Sequence, residues 1–275
     1  MRLRISHLTR YHYDAPTTSI SQMLRLTPRN NESQYVAHWR IDVSTDCWLH
    51  QHEDAFGNIT HAFTAEGSFR ELAVMAEGEV ETRDTQGILR GTVERFPPSL
   101  YLRDTALTSA DANIADFAAA CRDATGDDAL KALHLMLERL NEEMTFDTDP
   151  THAATTAAEA FALKRGVCQD ITHIFIAAAR NLRIPARYVG GYFFRGDGIT
   201  EQKAGHAWAE ACVPELGWVA FDPANGICGT DAHVRVAAGL DYLGAAPLRG
   251  AHYGGRGEAL SVQVRVTQAA HQAQN

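Results

Sequence analysis

A glycine, a cysteine and two polar residues head an apolar run in RGVCQDITHIFIAAAR, Arg165 to Arg180. From Cys168 onward, Ile171, Thr172, Phe175, Ala178, Ala179 and Leu182 recur at helical spacing, which puts the thiol in the first turn of a helix. Unpaired backbone N–H groups at such a terminus carry partial positive charge. That field lowers a thiol's pKa and raises its reactive thiolate fraction. Gly166 is expected to let a substrate backbone approach, and the Cys168 N–H to face a developing oxyanion. Gln169 and Asp170, in the same turn, are candidates for substrate contact or for plain helix capping. A cysteine among apolar neighbours is otherwise a small buried hydrophobe, so the partners decide.

A nucleophilic thiol needs a base for its proton and a carboxylate to hold that base in one tautomer. The segment HAWAEACVP has His206 at the head of a strand, with Trp208, Glu210 and Cys212 at alternate positions. The segment WVAFDP ends the next strand at Asp222, where Pro223 interrupts the ladder. Pro214–Gly217 is turn sequence, so His206 and Asp222 come to the same open end of one hairpin. Parity constrains that turn, because side chains alternate across a strand. A two-residue turn at Glu215 and Leu216 would point His206 and Asp222 apart. The expectation is a three-residue loop or a bulge, with Val213 opposite Gly217, Trp208 opposite Asp222 and His206 diagonal to it. Trp208 is then a candidate groove wall or a core residue, and Glu210 a solvated residue or the partner of Arg187.

GVCQD, PARYVGGY and HAWAEACVPELGWVAFDP, in that order, resemble the core of the bacterial transglutaminase-like proteins of the papain-like cysteine superfamily. RISHLTRYHYDAP and DAFGNITHAFT are similar to the β-rich domain that accompanies that core. The resemblance implies Cys168 as nucleophile, His206 as general base and acid, and Asp222 as the orienting carboxylate. Gly166 and Asp170 also match. It implies a peptidase or amidase working through a thioester, with no cofactor and no metal. Where the family often carries a charged GRDYADV-like stretch, this chain reads Gly239-Leu240-Asp241-Tyr242-Leu243-Gly244-Ala245.

The rest of the chain must position these groups. Its 275 residues suffice for one large domain or two ordinary ones, and 45% hydrophobic with 21% charged content is that of a globular protein. A formal charge of -9 with no basic run argues against nucleic acid or an anionic membrane as partner. The N-terminus lacks a signal-peptide core, and Cys47, Cys121, Cys168, Cys212 and Cys228 are odd in number and scattered. Reduced thiols in a cytoplasm are expected.

Alternating segments such as QYVAHWRIDV predict about six short strands in the first hundred residues, forming a small antiparallel sandwich or sheet. Pro97 and Pro98 mark an edge. Helices are predicted over Ala110–Cys121 and Asp128–Met144, and a short one capped by Thr156 and Glu159 that Gly166 would end. The expected class is α+β: an N-terminal β domain over residues 1–98, then a papain- or transglutaminase-like core over 99–275. The strand Leu260–Val266 is expected to close that core. His50 and His52 beside Glu53 and Asp54 form a conceivable metal pair with no third ligand motif.

The expected activity is attack of Cys168 on a peptide or amide carbonyl, with His206 protonating the departing amine. Water completes hydrolysis; an amine gives transglutaminase-type acyl transfer. A dedicated transferase needs a shaped subsite beside the thiol, and the short polar segment between Phe194 and Gly205 reads as a mobile lip instead. A non-catalytic binding protein on the same core is the remaining alternative, and the intact triad argues against it.

Overall fold

The computed structural model describes residues 1–269. The N-terminal part is antiparallel: β1 (Arg2–Thr27), β2 (Gln34–Val43), β3 (His50–Glu53) and β4 (Ile59–Thr82), followed by the short β5 (Ile88–Leu89). These strands are fewer and longer than the alternation suggests. Bulges around residues 12–19 let β1 continue past Pro16, so its two halves pair separately along β4.

After a 3-10 turn at Pro98–Leu102 come α1 (Ala112–Thr125), α2 (Ala129–Glu143), β6 (Thr145–Phe146), α3 (Ala157–Leu163), β7 (Arg165–Gly166) and α4 (Cys168–Asn181). Asp111 and Asp128 cap α1 and α2, and Thr156 with Glu159 forms a reciprocal capping box on α3. The expected role of Gly166 in ending α3 is not found: Lys164 takes the left-handed turn at φ 52°. In α4 every residue from Asp170 to Arg180 is buried. Each of Ile174, Phe175 and Ile176, fully enclosed, stabilises by ~1.5–3 kcal/mol relative to exposure. Arg180, buried at its end, donates to the carbonyls of Tyr101, Ala186 and Leu240 and to Thr108 Oγ1, tying the 3-10 turn, the start of β8 and the loops at residues 108 and 240 to the helix.

A second antiparallel sheet lies against α4. Its strands are β8 (Ala186–Phe193), β10 (His206–Val213), β11 (Gly217–Asp222), β12 (Ile227–Cys228) and β13 (His233–Gly239), in the order β12-β11-β10-β8-β13, with β5 on β11. The remaining elements are β9 (Glu201–Gln202), α5 (Tyr242–Ala245), β14 (Leu248–Gly254) and β15 (Glu258–Gln268).

The strand expected to close the core goes elsewhere. β15 pairs with β1 from Leu3↔Gln268 to Tyr13↔Glu258, and β14 pairs with the second half of β1. The C-terminal strands therefore complete the N-terminal sheet. The β1 edge is long enough to satisfy the whole eleven-residue ladder of β15. A division of the chain near residue 98 remains a proposal about folding units, since both halves contribute strands to both sheets. No helix among the described residues is long and apolar enough to cross a membrane.

Candidate active site

Cys168 is the first helical residue of α4, following the N-cap Val167. Two features hold it there. The short parallel pair β6–β7 fixes the approach, with Gly166 opposite Phe146. Asp170, 1% exposed, turns back to accept from the Val167 N–H at 2.8 Å and from Thr151 Oγ1 at 2.7 Å. Burial pushes the Asp170 carboxyl up, and these hydrogen bonds oppose that. Asp170 is thus a cap of α4. Gly166 serves it: a Cβ there would sit 2.7 Å from Asp170 Oδ2. Its missing side chain makes room for the cap, which corrects the expected close approach of a substrate. Gln169 is half-buried and lines the same cavity as Cys168.

The hairpin has the register that parity demands. Val213 pairs with Gly217 and Ala209 with Phe221 around a loop at residues 214–216, with Glu215 at φ 67°. One further step sets Trp208 opposite Asp222 and His206 diagonal to it. His206 Nε2 lies 2.6 Å from Asp222 Oδ2. Burial opposes charge on His206, but the Asp222 carboxylate outweighs it, and the nearby Cys168 sulfur adds to the shift. The result is a pKa raised to about 10. Burial would push Asp222 up; the two histidines beside it instead hold it well below the usual carboxylate range. With Nε2 turned to Asp222, Nδ1 is the His206 nitrogen free to face the thiol.

The same carboxylate oxygen also meets Asn225 Nδ2 at 2.7 Å and His233 Nε2 at 3.1 Å. Sequence reading singles out neither residue. Asn225 had a local signal, as a polar residue three positions past Asp222 in a turn; His233 had none that separates it from twelve other histidines. Asp222 and the two histidines lie within 4.8 Å of one another, a spacing that invites a metal ion. The hydrogen bonds favour protons instead. The Thr230 N–H donates to His233 Nδ1 at 3.1 Å, so the ring carries its proton on the nitrogen facing Asp222. His50 and His52 are exposed, and among the described residues no third ligand gathers around them.

Trp208 does not wall the groove. It is 2% exposed, packed beneath His206 and against the His233 ring edge-on at 5.2 Å. Glu210, 1% exposed, is salt-bridged to Arg187 at 2.6 Å and to Arg235 at 2.7 Å, away from the cavity.

Cys168, His206 and Asn225 open onto a cavity of about 740 Å³ between the two sheets. Thr9 and Tyr11 of β1, Tyr188 and Tyr192 of β8, Tyr242 and Val262 form much of its wall. Buried His7 binds Tyr192 Oη at 3.1 Å and Thr9 Oγ1 at 3.2 Å, and desolvation lowers its pKa to about 4, so this wall is neutral. The segment after Phe194 is tied to the N-terminal sheet near its end. Its Gln202 and Glu201 pair with Val264 and Arg265 of β15, and Gln202 Nε2 donates to the Phe193 carbonyl at 3.1 Å. Arg195 and Lys203 from this segment line the cavity.

Residues 3–81 match the bacterial transglutaminase-like N-terminal region and residues 115–223 the transglutaminase-like superfamily. The chain is 31% identical over 284 residues to an uncharacterized protein, ML0607, of Mycobacterium leprae, covering 98% of this chain and 99% of that one. It is 26% identical to Rv2569c, an uncharacterized protein of Mycobacterium tuberculosis, across 92% and 88% of the two chains. A crystal structure of a proposed cysteine protease from Cytophaga hutchinsonii superposes with a TM-score of 0.77 at 17% identity, covering 100% of this chain and 92% of the other. That likeness is one of fold, and it spans both sheets. The chain belongs to the transglutaminase-like superfamily, with the bacterial N-terminal region built onto its core.

Proposed function

We propose that this protein is a cysteine-dependent hydrolase of peptide or amide bonds. The observation that carries the reading is the 2.6 Å contact between Asp222 and His206, with the His206 imidazole and the helix-mouth thiol of Cys168 both lining one cavity. Cys168 attacks the carbonyl, forming a C–S bond, and His206 passes its proton to the departing amine. Water then attacks the thioester with neutral His206 as base, and the C–S bond breaks to return the thiol. The N–H groups of Cys168 and Gln169, in the first turn of α4, lack intrahelical partners and are suited to the oxyanion. Five free thiols accord with a reducing, cytoplasmic setting.

Acyl transfer to an amine is the second reading, and the cavity favours it. The wall formed by Arg195, Ile199 and Lys203 bounds a shaped space beside Cys168, which a bound acceptor would need. Product partitioning tests the two. With a peptide or amide substrate drawn from a library screen and graded lysine added, mass spectrometry is expected to find mainly free acid. Predominant amide product at millimolar amine would make the protein a transferase. Absence of turnover on any library member, with an unreactive Cys168, would favour a binding protein.

A further inference from the structure

His233 opens β13 opposite Phe193 of β8 and is 8% exposed. Its ring is clamped by Phe193 and Trp208, with centroids at 4.8 and 5.2 Å. The Thr230 N–H can only donate, so His233 Nδ1 is an acceptor and Nε2 bears the proton. One backbone amide therefore orients the ring, selects its tautomer and aims a neutral N–H at Asp222 Oδ2.

The charge balance around Asp222 gives this donor a task. The carboxylate is fully buried. Two titratable groups face it, His206 from β10 and His233 from β13, while Cys168 of α4 bears on it through His206; Asn225, from the turn after β11, is neutral. While His206 is an imidazolium, the carboxylate has its counter-ion. Once His206 has released its proton, Asp222 is an anion enclosed without a cation. Two fixed neutral donors, His233 Nε2–H and Asn225 Nδ2–H, stay in place through both states.

We propose that His233 is a positioning residue for the triad: held by Thr230 as a neutral donor, it keeps Asp222 ionised and aimed while His206 is without its proton. The inference rests on the hydrolase reading above and adds which half of the reaction His233 serves. With one donor removed, the carboxylate pulls harder on the His206 proton. Formation of the acyl-thiol, which starts from protonated His206 beside the Cys168 thiolate, is little affected. Breakdown of the acyl-thiol needs neutral His206 and slows.

The experiment uses the full chain with p-nitrophenyl acetate as acyl probe. Cys168 displaces p-nitrophenolate in a burst, forming C–S as the ester C–O breaks. Water then releases acetate, its proton going through His206 to restore the thiol. His233→Leu is expected to keep the burst while the steady-state rate falls roughly tenfold and its pH midpoint rises. His233→Gln, whose amide N–H reaches the same oxygen, should recover most of the rate. A His233→Leu protein with the wild-type steady state and midpoint, or a His233→Gln protein as slow as His233→Leu, overturns the proposal. A wild-type protein without a burst, or a burst that survives Cys168→Ser, overturns the triad reading itself. Should His233→Leu not fold, ¹⁵N spectra of wild-type histidines decide: the neutral Nε2–H form at pH 7 is expected, and the Nδ1–H or doubly protonated form refutes the inference.

Discussion

His206 Nε2 and Asp222 Oδ2 are 2.6 Å apart although they lie 16 positions apart in the chain. They stand on neighbouring strands at diagonal positions, which the three-residue loop after Val213 makes possible. A loop one residue shorter would turn Asp222 to the other face of the sheet. The chemistry of the site thus depends on the length of a turn at the far end of its hairpin.

Thiol reactivity should single out Cys168. Burial pushes the thiols of Cys47, Cys121, Cys212 and Cys228 upward, away from the reactive thiolate, whereas Cys168 stands at a helix mouth and lines one cavity with His206. Brief iodoacetamide treatment near pH 7 followed by peptide mapping is expected to label Cys168 at least about tenfold faster than any other cysteine. Equal labelling of Cys212 or Cys228 would defeat the reading.

Removing the Asp222 charge should leave a signature in stability against pH. His206, raised to about 10, contributes stability that is full below its unfolded value of ~6.5 and is lost as pH climbs toward 10. Asp222, held low, contributes stability present above ~4 and lost as pH falls. The gap in urea midpoint between wild type and Asp222→Asn is therefore expected to be widest between pH ~4 and ~6.5 and to narrow toward 10. A gap that widens with rising pH contradicts the assignment of charge to the pair.

Glu210 should matter for stability rather than for chemistry. It is enclosed between Arg187 and Arg235, and Arg187 in turn binds Glu94 and stacks 3.9 Å from the centre of the Trp218 ring. Glu210→Ala leaves buried cations short of a partner, so denaturant unfolding is expected to report a loss of about 3–5 kcal/mol. Cys168 alkylation in the folded fraction should keep its rate. A loss under ~1 kcal/mol would mean that water replaces the carboxylate there.

Metal chelation should leave the site unchanged. His233 presents a protonated nitrogen to Asp222, and a metal would need that nitrogen's lone pair. EDTA is expected to alter neither the alkylation rate of Cys168 nor turnover of any substrate found. Inactivation reversed by one particular divalent ion would replace the hydrogen-bonded reading of the three residues with a metal site.

The local features of the site are legible in the chain because their causes are local. Apolar positions at helical spacing after Cys168 specify α4, and Pro185 limits its end. Strict two-residue alternation specifies which face His206 and Asp222 share, and parity then dictates the loop between them. The same alternation says nothing about which strand will be a neighbour. The pairing of β1 with β15 joins residues more than two hundred positions apart, and any exposed ladder of matching length would satisfy it equally in sequence terms. Gly166 reads as room for substrate until Asp170 is seen folded back into that space. His233, Asn225 and the tyrosines of the cavity come from separate strands and turns, so their types carry no signal until the sheets bring them together. The sequence by itself determined the helix that Cys168 heads and the face that His206 and Asp222 share. Only the tertiary structure decided what else holds Asp222 and what encloses Cys168, because those contacts are set by the packing of two sheets rather than by the period of either.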